Sequence, residues 1–166
     1  QVLGAKKLLV ILPSSAESPL LQAYRTFAGA LSNAGPDQVE IKLDSEISHL
    51  PPDRAICILD KGNRYFPEVI RGLSKYQIHM NQTSIQIEKS DIPFKSHSIV
   101  LTGRNPENQN TALLFVTSDS PEALKGLSRK LPHYHKYSYL GFRGDEPENI
   151  VKGRWPVTDS PMTVFL

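Results

Sequence analysis

The stretch RKLPHYHKYSYLGFRGDEP, residues 129–147, carries the densest set of chemically capable side chains in the chain. His133 and His135 lie two residues apart. On an extended segment, residues i and i+2 face the same side, so two imidazoles there could share a metal. Zinc needs three or four protein ligands. His49, His79 and His97 are scattered, and the sole cysteine, Cys57, sits in the apolar run RAICILD. No HExxH or CxxC is present, so no metal site is assigned and the pair reads first as two histidines at a strand entrance. Tyr134, Tyr137 and Tyr139 each offer an apolar ring with one polar handle. They suit a pocket wall that stacks on a sugar or peptide, and suit structural packing better. Arg143 and Asp145 are close enough in sequence for a local ion pair. Such a pair contributes under about 1 kcal/mol when exposed. Trp155, in KGRWPV, reads as a cap over a hydrophobic edge.

A second chemical pattern occurs twice. SSAES, with Ser14 and Ser15, and TSDS, with Ser118, each follow an apolar run and precede a helical pattern. Ligands of open α/β sheets bind at the carboxyl ends of strands, near helix N-termini, and hydroxyl-rich loops there can hold an anion. Ser and Asp are also ordinary capping residues, and phosphate loops are rich in glycine, which these loops lack. Capping is the stronger reading. GxGxxG, the Walker lysine loop and the GxSxG elbow are absent from the sequence. No catalytic set and no cofactor are assigned.

Several elements must position these groups. Leu8 to Leu12 is a continuous apolar run, the pattern of a strand buried on both faces. Ser18 reads as the N-cap of a helix with Pro19 at its first position. Leu20, Leu21, Tyr24, Phe27, Ala28 and Leu31 follow at helical spacing, and Gly35-Pro36 ends it. QVEIKL (38–43) alternates as a strand, and RAICILD (54–60) is a second buried strand. A helix is predicted from about Tyr65 to Tyr76, and a short strand around Ile85 and Ile87. HSIVLTG (97–103) and TALLFVTS (111–118) are strands joined by a polar turn, RNPENQN. Ser120 caps a further helix with Pro121 first, and Pro132 stops it. YSYLGF is then a strand. Strand–helix–strand units of this length give parallel crossovers. The whole predicts a single layered α/β domain over 1–166, with a mixed, partly parallel sheet and helices packed on it.

Composition narrows the function classes. The 19 basic and 17 acidic residues are mixed along the chain, without the Lys/Arg block that tracks a phosphate backbone, so nucleic acid is not an expected partner. No apolar run is long enough for a transmembrane segment. The opening apolar run of about six residues is shorter than a signal-peptide core. The chain begins without methionine and is expected to be a domain excised from a longer protein.

Residues 103–161 carry a more specific signal. NPENQN, a strand, PEAL, KLPHYHKYSYL, GDEPEN and KGRWPVTDSP follow one another in that order. The block resembles the C-terminal region of large bacterial zinc aminopeptidases of the gluzincin class, and covers about a third of the chain. His135 stands where glycine is usual in that run, which argues against a family-wide two-histidine metal site. The resemblance implies an accessory domain whose zinc and catalytic glutamate lie in a separate domain, and an extracytoplasmic location, periplasmic or secreted. No catalytic residue transfers, because HExxH is absent here.

The expected function is therefore a non-catalytic interaction domain of a multidomain metallopeptidase. Its partner would be the catalytic domain of the parent chain, which it packs against or for which it positions substrate. One alternative is a small-molecule, peptide or glycan-binding domain using the tyrosines and serine-rich strand ends. The other is a small enzyme built on His133, His135 and Asp145.

Overall fold

Five of the six residues in the strand Lys7–Leu12 (β1) are buried, as a run of branched apolar residues requires when both faces of a sheet are covered. The computed structural model describes residues 2–156. After β1 come the helix Ser18–Ser32 (α1), the strands Gln38–Leu43 (β2) and Ala55–Leu59 (β3), and the helix Phe66–Gly72 (α2). Three short strands follow, Ile78–Met80 (β4), Ser84–Ile87 (β5) and Ser90–Pro93 (β6). A long pair, His97–Asn105 (β7) and Asn108–Ser118 (β8), leads to the helix Pro121–Lys130 (α3) and the strands Tyr139–Arg143 (β9) and Glu148–Gly153 (β10).

Seven strands form one sheet in the order β10-β9-β7-β8-β3-β1-β2. β2, β1, β3 and β8 are mutually parallel. β7 runs antiparallel to both β8 and β9, so β9 returns in the direction of β8, as the crossover through α3 predicts. β10 closes the far edge antiparallel to β9. The fold is thus the expected α/β layering on a mixed sheet.

Alternate residues of each central strand enter opposite cores. Leu8, Val10 and Leu12 pack with Tyr24, Phe27 and Leu31 of α1 and with Leu124 and Leu127 of α3. Leu9 and Ile11 pack on the other face with Val69, Leu73, Ile85, Ile87 and Ile92. That second face is covered by α2 and by a separate three-stranded antiparallel sheet, β4-β5-β6. The sequence pattern shows only one strand of this small sheet: β5 alternates Ile85 and Ile87 inward, whereas β4 has three residues and β6 buries only Ile92, too little for alternation to register.

Two local expectations are corrected. Ser18 is the first residue of α1; the cap position is Glu17, and it makes no side-chain cap bond. α2 stops at Gly72 rather than near Tyr76. A Cβ on Gly72 would stand 2.7 Å from the Arg104 carbonyl oxygen, so the helix ends where its backbone touches the long hairpin. Glu148–Gly153 pairs with β9 as the strand β10, which the sequence pattern does not announce. By contrast, Ser120 caps α3 as its position implies, accepting the Ala123 N–H at 3.1 Å.

Candidate functional site

The carboxyl ends of the parallel strands β1, β2, β3 and β8 bring together Ser14, Ser15, Asp44, Asp60 and Ser118. The α1 side chain Tyr24 reaches into this cluster and is fully buried. Its hydroxyl has two acceptors, Asp60 Oδ1 and the Ser118 carbonyl oxygen, each 2.9 Å from the phenol oxygen, and that oxygen accepts the Ser118 N–H at 2.9 Å. Burial, then the Asp60 charge, pushes the Tyr24 phenol well above its ordinary range.

Asp60 has a positive φ of 75°, a conformation that aspartate tolerates better than most residues. Its Oδ2 accepts the Gly62 N–H at 2.9 Å and fixes that turn. Asn63, 4% exposed, donates from Nδ2 to the carbonyls of Ile11 and Leu59, both at 3.0 Å, and so ties the ends of β1 and β3 together. Asp44, 2% exposed, accepts the N–H groups of Ser14 at 3.0 Å and Arg64 at 2.8 Å. Burial alone would raise its carboxyl. The Ser14 hydroxyl and the N–H groups of Arg64, Ser14 and Ser45 outweigh that effect and hold it below the usual carboxylate range.

The expected serines take structural parts in this network. Ser15 donates to the Gly62 carbonyl at 3.2 Å. Ser118, 3% exposed, accepts from the Ser98 hydroxyl at 2.8 Å and from the Ser120 N–H at 3.2 Å. The carboxyl-end crevice, the usual ligand position of such sheets, is therefore bridged by side chains that satisfy one another. Tyr24, Asp44, Asp60 and Asn63 were not singled out from the sequence. The available signal was positional: Asp44 and Asp60 each stand immediately after a strand that ends in leucine.

The 129–147 stretch resolves into separate environments. His133 lies in the 3-10 turn Leu131–Tyr134, and His135 follows in helical backbone geometry. The extended spacing that would have aligned their imidazoles is absent, because Pro132 starts a turn instead of a strand. Both histidines are exposed, and the His135 Nδ1 stands 3.2 Å from the Pro132 carbonyl oxygen. Among the described residues, no group of three or more His, Cys, Asp or Glu is placed to share a metal ion.

The tyrosines divide between the two faces of the sheet. Tyr134 and Tyr137 pack on the α1/α3 side, with Tyr134 edge-on to Phe142 at 5.6 Å. Tyr139 lies on the opposite side against Trp155, with ring centroids 4.8 Å apart. The three rings therefore do not line one pocket. Trp155 also stacks on Tyr76 at 4.4 Å and donates from Nε1 to the Thr102 carbonyl at 2.6 Å, which places it as a cap over the α2 side of the sheet. Arg143 pairs with Glu148 at 3.1 Å rather than with Asp145. Asp145 instead accepts the Ser120 hydroxyl at 2.7 Å, linking the β9–β10 turn to the start of α3.

One exposed surface from this stretch does gather charge. Tyr137, half-buried, is flanked by Lys136 and Lys152, whose Nζ atoms stand 5.4 and 5.5 Å from its ring centre. The chain matches no known family model and no curated protein.

Proposed function

We propose that this is a non-catalytic interaction domain of a multidomain metallopeptidase, which packs against a separate catalytic domain or positions substrate for it. The observation that carries this reading is the self-satisfied network at the carboxyl ends of the strands. Tyr24, Asp44, Asp60, Asn63 and Ser118 hold the strand ends and loops to one another, a pattern that makes the crevice a structural joint. The exposed Lys136–Tyr137–Lys152 surface supplies a contact face of the kind such a domain needs, since an amphipathic ring beside cations suits a half-wet interface.

The sequence block that resembles the aminopeptidases supports the same reading. It spans the end of β7, β8, α3, β9 and β10, which is one contiguous half of the sheet. Its recurrent words fall on the β7–β8 turn, the start of α3, the β9–β10 turn and the Trp155 cap. Those are positions that define how a domain folds, so the likeness is one of architecture.

Two measurements test the proposal. The purified domain, supplied with zinc and aminoacyl-p-nitroanilides, is expected to release no nitroaniline; chelator-sensitive turnover would overturn it. The coding sequence around this segment is expected to contain an upstream HExxH with a second glutamate downstream. A flanking sequence without any peptidase motif would equally overturn it.

A further inference from the structure

The opposite end of the sheet has a different character. Near the starts of the adjacent strands β8, β3 and β1 lies an open depression of about 620 Å³. Lys6, Lys7, Arg54 and Arg104 line it, with Asp53 as the sole carboxylate. Four cations against one anion give a net of +3 there. Glu40, paired with Arg54 at 2.7 Å, offsets one of these charges and leaves Lys6, Lys7 and Arg104 as the cations available there.

The cations are not neutralised locally to the same degree. Arg54 is held by Asp53 at 2.9 Å and by Glu40 at 2.7 Å, which fixes its guanidinium in one orientation. Lys6 and Arg104 are exposed, and no carboxylate of the described residues pairs with either. The apolar part of the lining is Ala5, Ala55 and Ala112, all small, which leaves room for a main chain. Asn110 and Thr111 add amide and hydroxyl groups at the rim that can bond peptide carbonyls and N–H groups.

We propose that this depression is a docking site for an acidic, extended peptide segment, whose carboxylates are received by Lys6, Lys7 and Arg104 beside the fixed Arg54. An open trough suits a strand of peptide; a small anion would be expected in a site that encloses most of its surface. Complementary charge of this kind sets encounter rate and salt sensitivity. The site is independent of the peptidase reading, since it holds for an acidic segment on any polypeptide.

The test uses the intact domain and a fluorescein-labelled, capped hexaglutamate peptide, read by fluorescence anisotropy. Saturable binding is expected, at least about tenfold weaker when salt is raised through roughly 0.5 M. The double reversal Lys6→Glu with Arg104→Glu should weaken it by a similar factor. Reversal of two exposed cations on α3, Lys125→Glu with Arg129→Glu, should leave it unchanged. Circular dichroism checks that each variant is folded; if the double reversal is not, Lys6→Gln with Arg104→Gln takes its place. Absence of saturable binding, an equal loss from both pairs of reversals, or equal binding of hexaglutamine would overturn the proposal. Tight binding of inorganic tripolyphosphate without binding of the peptide would also overturn it, in favour of a small-anion site.

Discussion

At the scale of single residues, Tyr24 and Asp44 hold the carboxyl end of the sheet together by different physics. Tyr24 is a neutral hydroxyl shared among three partners in a dry site. Tyr24→Phe leaves the Ser118 N–H without its acceptor and should destabilise the fold by about 1–3 kcal/mol in urea titrations. Its raised phenol also has a pH signature. A group whose folded pKa lies above its unfolded value stabilises fully below that unfolded value, about 10 for tyrosine, and loses its contribution as pH rises toward the folded one. Alkaline destabilisation above about pH 10 should therefore be smaller in Tyr24→Phe than in the native chain. Asp44 works in the reverse sense. Its depressed carboxyl contributes stability above the unfolded value of about 3.9, which disappears as pH falls through the lower folded value. Asp44→Asn should be less stable at neutral pH and should show a flatter acid limb. Equal acid limbs in the two proteins would contradict this account of Asp44.

At the scale of elements, close approach governs what the sequence can vary. α3 packs Gly126 against Pro147 of the β9–β10 turn, and a Cβ there would stand 2.6 Å from Pro147 Cδ. Alanine favours an isolated helix over glycine by about 1 kcal/mol, yet Gly126→Ala should lower the melting temperature, because the turn must move away from the helix. A rise in melting temperature would show that the contact is loose. The same element explains what was legible beforehand. Pro121 and Ser120 announce the start of α3 through local chemistry that needs no tertiary partner, and β1 and β3 announce themselves through unbroken apolar runs. The end of α2, the strand β10 and two strands of the small sheet were obscured because their limits are set by the segments they pack or pair with rather than by their own residues. Gly72 stops against Arg104, and β10 is paired only because β9 lies beside it. The candidate site divides in the same way. Ser14, Ser15 and Ser118 were visible as residues after strands, whereas Tyr24 and Asn63 join them only through three-dimensional proximity. His133 and His135 lie in a turn rather than a strand entrance for a related reason: a spacing of two implies a shared face only in extended chain, and the Leu131–Tyr134 segment around Pro132 is a 3-10 turn.

At the scale of the molecule, the two ends of the parallel strands carry opposite roles. The carboxyl ends are cross-linked by mutually satisfied polar groups, and the amino ends are open and cationic. This separates the part that maintains shape from the part available for contact, so charge reversals at Lys6 or Arg104 should change binding far more than stability, as exposed charges contribute little to folding. Both outer strands also resist unwanted pairing. β2 carries Glu40 and Lys42 on an exposed edge, and β10 presents Glu148 and Lys152, charges that discourage edge-to-edge association.

The β7–β8 hairpin joins the two halves of the sheet. β8 pairs with β3 on one side and β7 with β9 on the other, while only Pro106 and Glu107 separate the two strands. Every other ladder of the central sheet except β9–β10 brings together strands separated by a helix or by long stretches of chain, and closing such loops is slow. The hairpin is thus expected to form early in folding, as a local structure that offers each half a template on which to grow. Shortening the facing pair Val100 and Val116 to alanine, one at a time, should slow refolding in stopped-flow experiments. Val10→Ala in β1, equally buried, should act mainly by speeding unfolding.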